Sequence, residues 1–167
     1  MDSGKITGNV PGPNADSRQG LNLGERILVE IDNDIAEIAR VNALVDGLSE
    51  RHALLEAFVF HIKFALDELL TNIISYGFPD AGRHKIAIRL EIEGDAFEAE
   101  VIDDGIAFNP LDKAPPDLGQ SVEDRQIGGL GVHFIRTVMD QLAYRRSGEK
   151  NHFTMIKKVP VEPAKQG

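Results

Sequence analysis

Apolar and polar positions change their rhythm several times along the chain, and each change predicts a different element. Arg26-Ile27-Leu28-Val29-Glu30-Ile31 is rich in β-branched and apolar residues and predicts a strand. Asp32, Asn33 or Asp34 stands ready to cap a following helix, whose apolar positions Ile35, Ile38, Ala39, Val41, Leu44, Val45 and Leu48 keep roughly helical spacing. A second helix is predicted from about Leu54 to Tyr76. Phe58, Ile62, Ala65, Leu66, Leu69, Ile73 and Tyr76 give it a wide apolar face, and Gly77-Phe78-Pro79 stops it. From Lys85 to Glu93 the period falls to two, with Ile86, Ile88, Leu90 and Ile92 alternating with smaller or charged residues. Phe97 to Asp103 follows across a Glu93-Gly94-Asp95 turn, which makes a hairpin. The remaining pattern gives a third helix from about Val132 to Gln141, then a second hairpin of Leu142 to Arg146 and His152 to Val159 across Ser147-Gly148-Glu149-Lys150.

Helices with faces this apolar need a sheet to cover them. The order strand, helix, helix, hairpin, helix, hairpin predicts an α/β fold, a two-layer α/β sandwich whose mixed, mostly antiparallel sheet carries its helices on one face. No internal repeat divides the chain, and one domain is expected over residues 23–160. Residues 1–22, rich in Gly, Pro, Asn, Asp and Ser, read as a flexible leader, and residues 161–167 as a tail. One connector departs from the rest: Ile106 to about Gly128 holds Pro110, Pro115, Pro116 and several acids but little periodic apolar content. Connectors of that length inside a compact domain tend to be lids, binding loops or disordered inserts. Glycines mark both ends, with Asp103-Asp104-Gly105 before it and Gly128-Gly129-Leu130-Gly131 after it.

Composition narrows the chemistry. At 167 residues with 42% apolar content the chain is long enough to bury about two thirds of its unfolded surface. Without cysteine it has no disulfide, iron–sulfur cluster, thiolate nucleophile or thiolate zinc site. Its longest apolar run, Ala57 to Phe60, falls far short of a membrane span, and the start lacks a signal-peptide pattern, so a cytoplasmic protein is expected. The net charge of -9 opposes sequence-independent binding of nucleic-acid phosphates. That charge is unevenly spread: residues 25–50 hold seven acids against two bases, and residues 136–167 hold seven bases against three acids. Such faces are either plain solvated surface or docking surface for a protein partner.

Three places carry candidate chemistry. Gly128, Gly129 and Gly131 lead into a helix, where backbone N–H groups can approach an anion; the same glycines also serve as plain punctuation. Glu68 and Asn72 stand four apart on the second helix and so leave the same face, as a site for a metal-bound nucleotide or as a solvated pair. Asp103 ends a strand two residues before Gly105, as a site residue or as a simple turn. P-loop, Rossmann and Gly-x-Ser-x-Gly patterns are missing, and His52, His61, His84, His133 and His152 form no metal signature.

Taken in order, Glu68-Leu69-Leu70-Thr71-Asn72, Asp103-Asp104-Gly105-Ile106-Ala107-Phe108-Asn109-Pro110, Gly128-Gly129-Leu130-Gly131 and Thr154 resemble the ATP-binding boxes of the GHKL superfamily. Within it, Thr71 to Gly77 and the run from Gly129 through Arg136 to Arg146 are most similar to bacterial anti-sigma-factor serine/threonine kinases of the partner-switching type. The resemblance implies a Bergerat-type fold with a long ATP lid at about 106–128, and ATP and Mg2+ as cofactors. It implies that Asn72 coordinates magnesium, that Glu68 is the general base, and that Asp103 accepts from the adenine amine. Gly105 would let the backbone approach the base, Gly129, Leu130 and Gly131 would shape the lid end over the phosphates, and Thr154 would line the adenine pocket. Arg125 and Lys113 are the lid cations it offers to the transferred phosphoryl group. Ala107 stands where a second glycine is often found, and the leader is no part of the pattern. The implied function is phosphorylation of a serine or threonine on a STAS-type anti-sigma-factor antagonist and sequestration of a sigma factor, with homodimerisation. The alternative is a non-catalytic module of the same fold in which ATP or ADP sets partner binding. The catalytic half of a sensor histidine kinase fits less well, since no helix pair with a phospho-accepting histidine is present.

Overall fold

The computed structural model describes residues 24–112 and 129–160. The leader, the tail and the central part of the proposed lid, with Lys113, Arg125 and Gly128, lie outside the described residues. Strand β1 (Glu25–Asp32) comes first, and the Asp34 carboxylate then accepts from Ala36 N at 2.9 Å to start a single 3-10 turn. Helix α1 (Ile38–His52) follows directly and ends where Ala53 takes a left-handed conformation, φ 49°, with its N–H on Ser49 O. Helix α2 (Glu56–Asn72) does not run on regularly to Tyr76 as the periodicity predicts. It widens into a π turn over Ile73–Gly77, so Tyr76 leaves the apolar face and is 62% exposed. Wide turns of this kind shift the register of the side chains that follow them, which periodicity at 3.6 residues cannot register.

Strands β2 (Lys85–Glu93) and β3 (Ala96–Asp103) form the first hairpin, turning at Gly94, φ 61°. Helix α3 (Gly129–Val138) starts earlier and stops earlier than its apolar pattern predicts, because Gln141 already belongs to strand β4 (Gln141–Ser147). Strand β5 (Lys150–Lys158) completes the second hairpin. The strand order is β1-β2-β3-β5-β4, and every pairing is antiparallel, so among the described residues the sheet has no mixed part. Placing β5 inside and β4 at the edge sets Asp103 directly across from Asn151, and Asn151 across from Arg146.

One face of the sheet and the apolar faces of the helices make the core, with Ile86, Ile88, Leu90, Ile92, Phe97, Ala99, Val101, Phe153 and Met155 all buried. Phe97 meets Phe58 of α2 edge to face at 6.2 Å between centroids. Burying one such ring contributes about 1.5–3 kcal/mol. The other face is charged, as the alternation requires of a sheet covered on one side. Arg26 pairs with Glu91 at 2.7 Å, Arg89 reaches Glu91, Glu98 and Glu100, and Arg145 and His152 also close on Glu100. Burial works to raise the Glu100 carboxyl, but His152, Arg89 and Arg145 together hold it below the usual carboxylate range. Among the described residues no helix is long and apolar enough to cross a membrane.

Candidate functional site

A cavity of about 400 Å³ opens between the helical layer and the end of the sheet. Leu69, Asn72, Ile73, Tyr76 and Gly77 line it from α2 and its π turn, and Val132 from α3. Asp103, Ile106, Phe108 and Pro110 line it from the end of β3 and the chain beyond. Tyr144 of β4 and Asn151 and Phe153 of β5 close it. Such a cavity, apolar with a few convergent polar groups, suits a ligand of small-molecule size.

The structure brings Asn72 and Asp103 together in this cavity. Asp103 is buried, and its Oδ1 accepts from Gly105 N and from Asn151 Nδ2, each at 2.8 Å. Gly105 is required by a close approach of two backbones: a Cβ there would lie 2.5 Å from Gly77 O and 2.8 Å from Asp103 Oδ1. The next residue fastens the same contact, Ile106 N donating to Gly77 O at 2.8 Å. Glu68 sits one helical turn before Asn72, and both are partly buried. Neither side chain makes a hydrogen bond or ion pair with another described residue. Instead the Glu68 carboxylate lies against Gly131, where any Cβ would overlap Oε2. That puts Glu68 at the first described turn of α3, next to Val132 on the cavity wall. Gly129 and Leu130 open the same turn.

Thr154 is not brought to the cavity. The apolar alternation of Phe153 and Met155 fixes which face of β5 is buried, and Thr154 falls on the charged face opposite Glu100. Asn151, of the parity that points inward, occupies the place that the sequence reading gave to Thr154. Phe108 and Tyr144 also line the cavity and Arg146 joins it through Asn151, three residues that lie within the quoted motifs but to which the sequence assigns no role. Tyr144 O–H and Arg146 Nη1 each donate to Asn151 Oδ1 at 2.8 Å, and Arg146 Nη1 also donates to Gly105 O at 2.8 Å. A polar Asn and an adjacent-strand Arg aligned with Asp103 were the available signal, legible only once strand order is known.

Gly77, on the cavity wall, leads into a loop that runs to His84. His84 stacks on Phe78 at 4.3 Å and bridges Asp80 at 2.8 Å and Asp104 at 3.2 Å. Asp80 and then Asp104 raise its pKa against the effect of desolvation. The same contact, with the Gly82 N–H, lowers Asp80.

The chain as a whole is similar to known proteins. It matches the histidine kinase-like ATPase domain over residues 31–157. It is 34% identical to the serine/threonine-protein kinase BtrW of Bordetella bronchiseptica over 98 residues, which cover 58% of this chain and 68% of that one. It is 28% identical to the serine-protein kinase RsbW of Listeria monocytogenes over 102 residues, 59% of this chain and 65% of that one. The solved structure of the RsbU and RsbW domains of Rv1364c from Mycobacterium tuberculosis matches 81% of this chain and 32% of that one with a TM-score of 0.57. At 14% identity that likeness speaks for the fold. The chain thus spans about two thirds of the length of these kinases and about one third of the solved chain. A one-sided antiparallel sheet, a cavity at its end walled by Asn72 and Asp103, and a family match across nearly all of both lead to one assignment: the chain belongs to the histidine kinase-like ATPase domain family.

Proposed function

We propose that the protein is an ATP-dependent serine/threonine kinase that phosphorylates a STAS-type anti-sigma-factor antagonist and otherwise sequesters a sigma factor in the cytoplasm. The observation that carries this reading is the pair Glu68 and Asn72, side chains that have no hydrogen-bond or ion-pair partner among the described residues, on one side of α2 next to the Asp103 cavity. The donor chemistry there fits a nucleotide bound with Mg2+: a hard cation takes oxygen ligands, the Asn72 amide oxygen would be one of them, and the Glu68 carboxylate one turn away would stay available as a base. Asn72 would hold the magnesium, which when bound neutralises phosphate charge.

The chain's own residues divide the work. The apolar walls from Ile73, Ile106, Phe108 and Phe153 exclude water from the base, and Asp103 accepts its exocyclic amine. Gly129, Leu130 and Gly131 offer the first N–H groups of α3 to the phosphates. Glu68 takes the acceptor hydroxyl's proton while that oxygen bonds the terminal phosphorus and the bond to ADP breaks. The kinases BtrW and RsbW, at 34% and 28% identity, support the reaction class.

The test is incubation with labelled ATP and candidate antagonists, comparing wild type with Glu68→Ala. Transfer to a serine or threonine by wild type, lost in Glu68→Ala while ATP still binds, is expected. ATP binding without transfer to any hydroxyl sinks the kinase and leaves a module in which nucleotide governs partner binding alone.

A further inference from the structure

Asp103 does not stand alone in the cavity wall; it is the end of a hydrogen-bonded chain across three strands. Asn151, on β5 directly opposite, uses both of its amide hydrogens, one on Asp103 Oδ1 at 2.8 Å and one on Ile106 O at 2.9 Å. Its Oδ1 takes both Tyr144 O–H and Arg146 Nη1, each at 2.8 Å. This amide cannot be turned over: the flipped form would face its oxygen to a carboxylate and a carbonyl, and its NH2 to an arginine that only donates. Both Asn151 and Asp103 are buried, so water does not readily replace a lost partner.

The consequence falls on Asp103. Gly105 N and Asn151 Nδ2 occupy Oδ1, while among the described residues Oδ2 has no hydrogen-bond partner. A carboxylate oxygen left over in a largely apolar cavity has one good use, to accept from a donor on the ligand. A purine amine satisfies it; an oxo group at the same place sets acceptor against acceptor and leaves both unpaired. We infer that Asn151, held by Tyr144 and Arg146, is the positioning residue that reserves Asp103 Oδ2 for the ligand and so makes the site select a 6-aminopurine over a 6-oxopurine nucleotide. The inference rests on the reading of the cavity as an ATP site. It acts through Asp103 and assigns Asn151 no contact with the reacting atoms.

The experiment measures equilibrium binding of ATP and of inosine triphosphate, which carries an oxo group at position 6. Wild type is expected to prefer ATP by about 10- to 100-fold, the scale of one unpaired buried polar group. Asn151→Ala should bring the ratio to within about 3-fold, mainly by weakening ATP, because the freed carboxylate is no longer held in one orientation. Asn151→Thr, which retains a hydroxyl donor for Asp103, should recover part of the preference. Tyr144→Phe keeps the ring in the cavity wall and should lower the ratio without abolishing it. In an Asp103→Ala background, adding Asn151→Ala should change the ratio no further. A purely structural role predicts otherwise: Asn151→Ala would lower the unfolding midpoint and weaken both nucleotides equally, and an unchanged ratio overturns the inference while ATP binding itself stands. Equal wild-type affinity for the two nucleotides overturns it as well. Wild type that binds neither overturns the inference together with the ATP reading.

Discussion

Replacing Gly105 by alanine tests a close backbone-to-backbone junction without reference to any ligand. The added methyl would sit 2.5 Å from Gly77 O, 3.1 Å from Gly77 C and 2.8 Å from Asp103 Oδ1. Neither neighbour is free to retreat. Gly77 closes the π turn and its carbonyl accepts Ile106 N at 2.8 Å, while Asp103 Oδ1 is held by Gly105 N and Asn151 Nδ2. Relief therefore requires the two backbones to part, which opens the Ile106 to Gly77 hydrogen bond. Overpacking of a tight site costs about 1–3 kcal/mol and a buried hydrogen bond adds about 1, for a loss of about 2–4 kcal/mol. With a urea dependence of about 2 kcal/mol per molar, the unfolding midpoint should fall by about 1–2 M at constant slope. Equilibrium urea unfolding of wild type and Gly105→Ala reads this directly. A loss below about 0.5 kcal/mol would refute the reasoning, since the junction would then have slack that its distances deny.

Three further outcomes are expected. In Gly131→Ala the new methyl overlaps only the head of the flexible Glu68 side chain, so the fold should keep its stability within about 1 kcal/mol while the carboxylate is displaced. Phosphoryl transfer should fall about 100-fold with nucleotide affinity little changed, as expected for a catalytic group moved by about 1 Å, and an unaltered transfer rate would remove Glu68 from the base role. His84, raised by Asp80 and Asp104, contributes stability that is full below its unfolded value and is lost as pH rises through its folded one, whereas Asp80, lowered by His84, contributes above its own unfolded value. The thermal-midpoint gap between wild type and His84→Ala should accordingly be widest between about pH 4 and 6.5 and shrink as pH rises further, through the raised His84 value; a gap that grows with pH over that rise contradicts the assignment. Glu25 is lowered chiefly by Arg51 and then His52, so Glu25→Gln should remove stability near neutral pH and cost progressively less in acid, as read by unfolding midpoints from pH 3 to 7.

The extent to which this protein is legible in its sequence follows from how far each feature reaches along the chain. Hydrophobic period determined β2, β3 and the body of α2, because a face of Ile86, Ile88, Leu90 and Ile92 or of Phe58, Ile62 and Leu69 is a local property. Glycine at 94 and 148, both with positive φ, marked the two hairpins for the same reason. Spacing alone put Glu68 and Asn72 on one side of a helix, and the order of the boxes led to the family. The tertiary structure decided what depends on pairing between distant segments. Period alone gave no warning of the π turn that frees Tyr76, and no local rule put β5 between β3 and β4. Thr154 and Asn151 differ by three positions, an odd number, so they stand on opposite faces of one strand. Only the core packing of Phe153 and Met155 tells which face meets Asp103. Chemistry that resides in one turn of chain was thus set by sequence, while the orientation of the Asp103 carboxylate in the cavity wall was set by register across three strands.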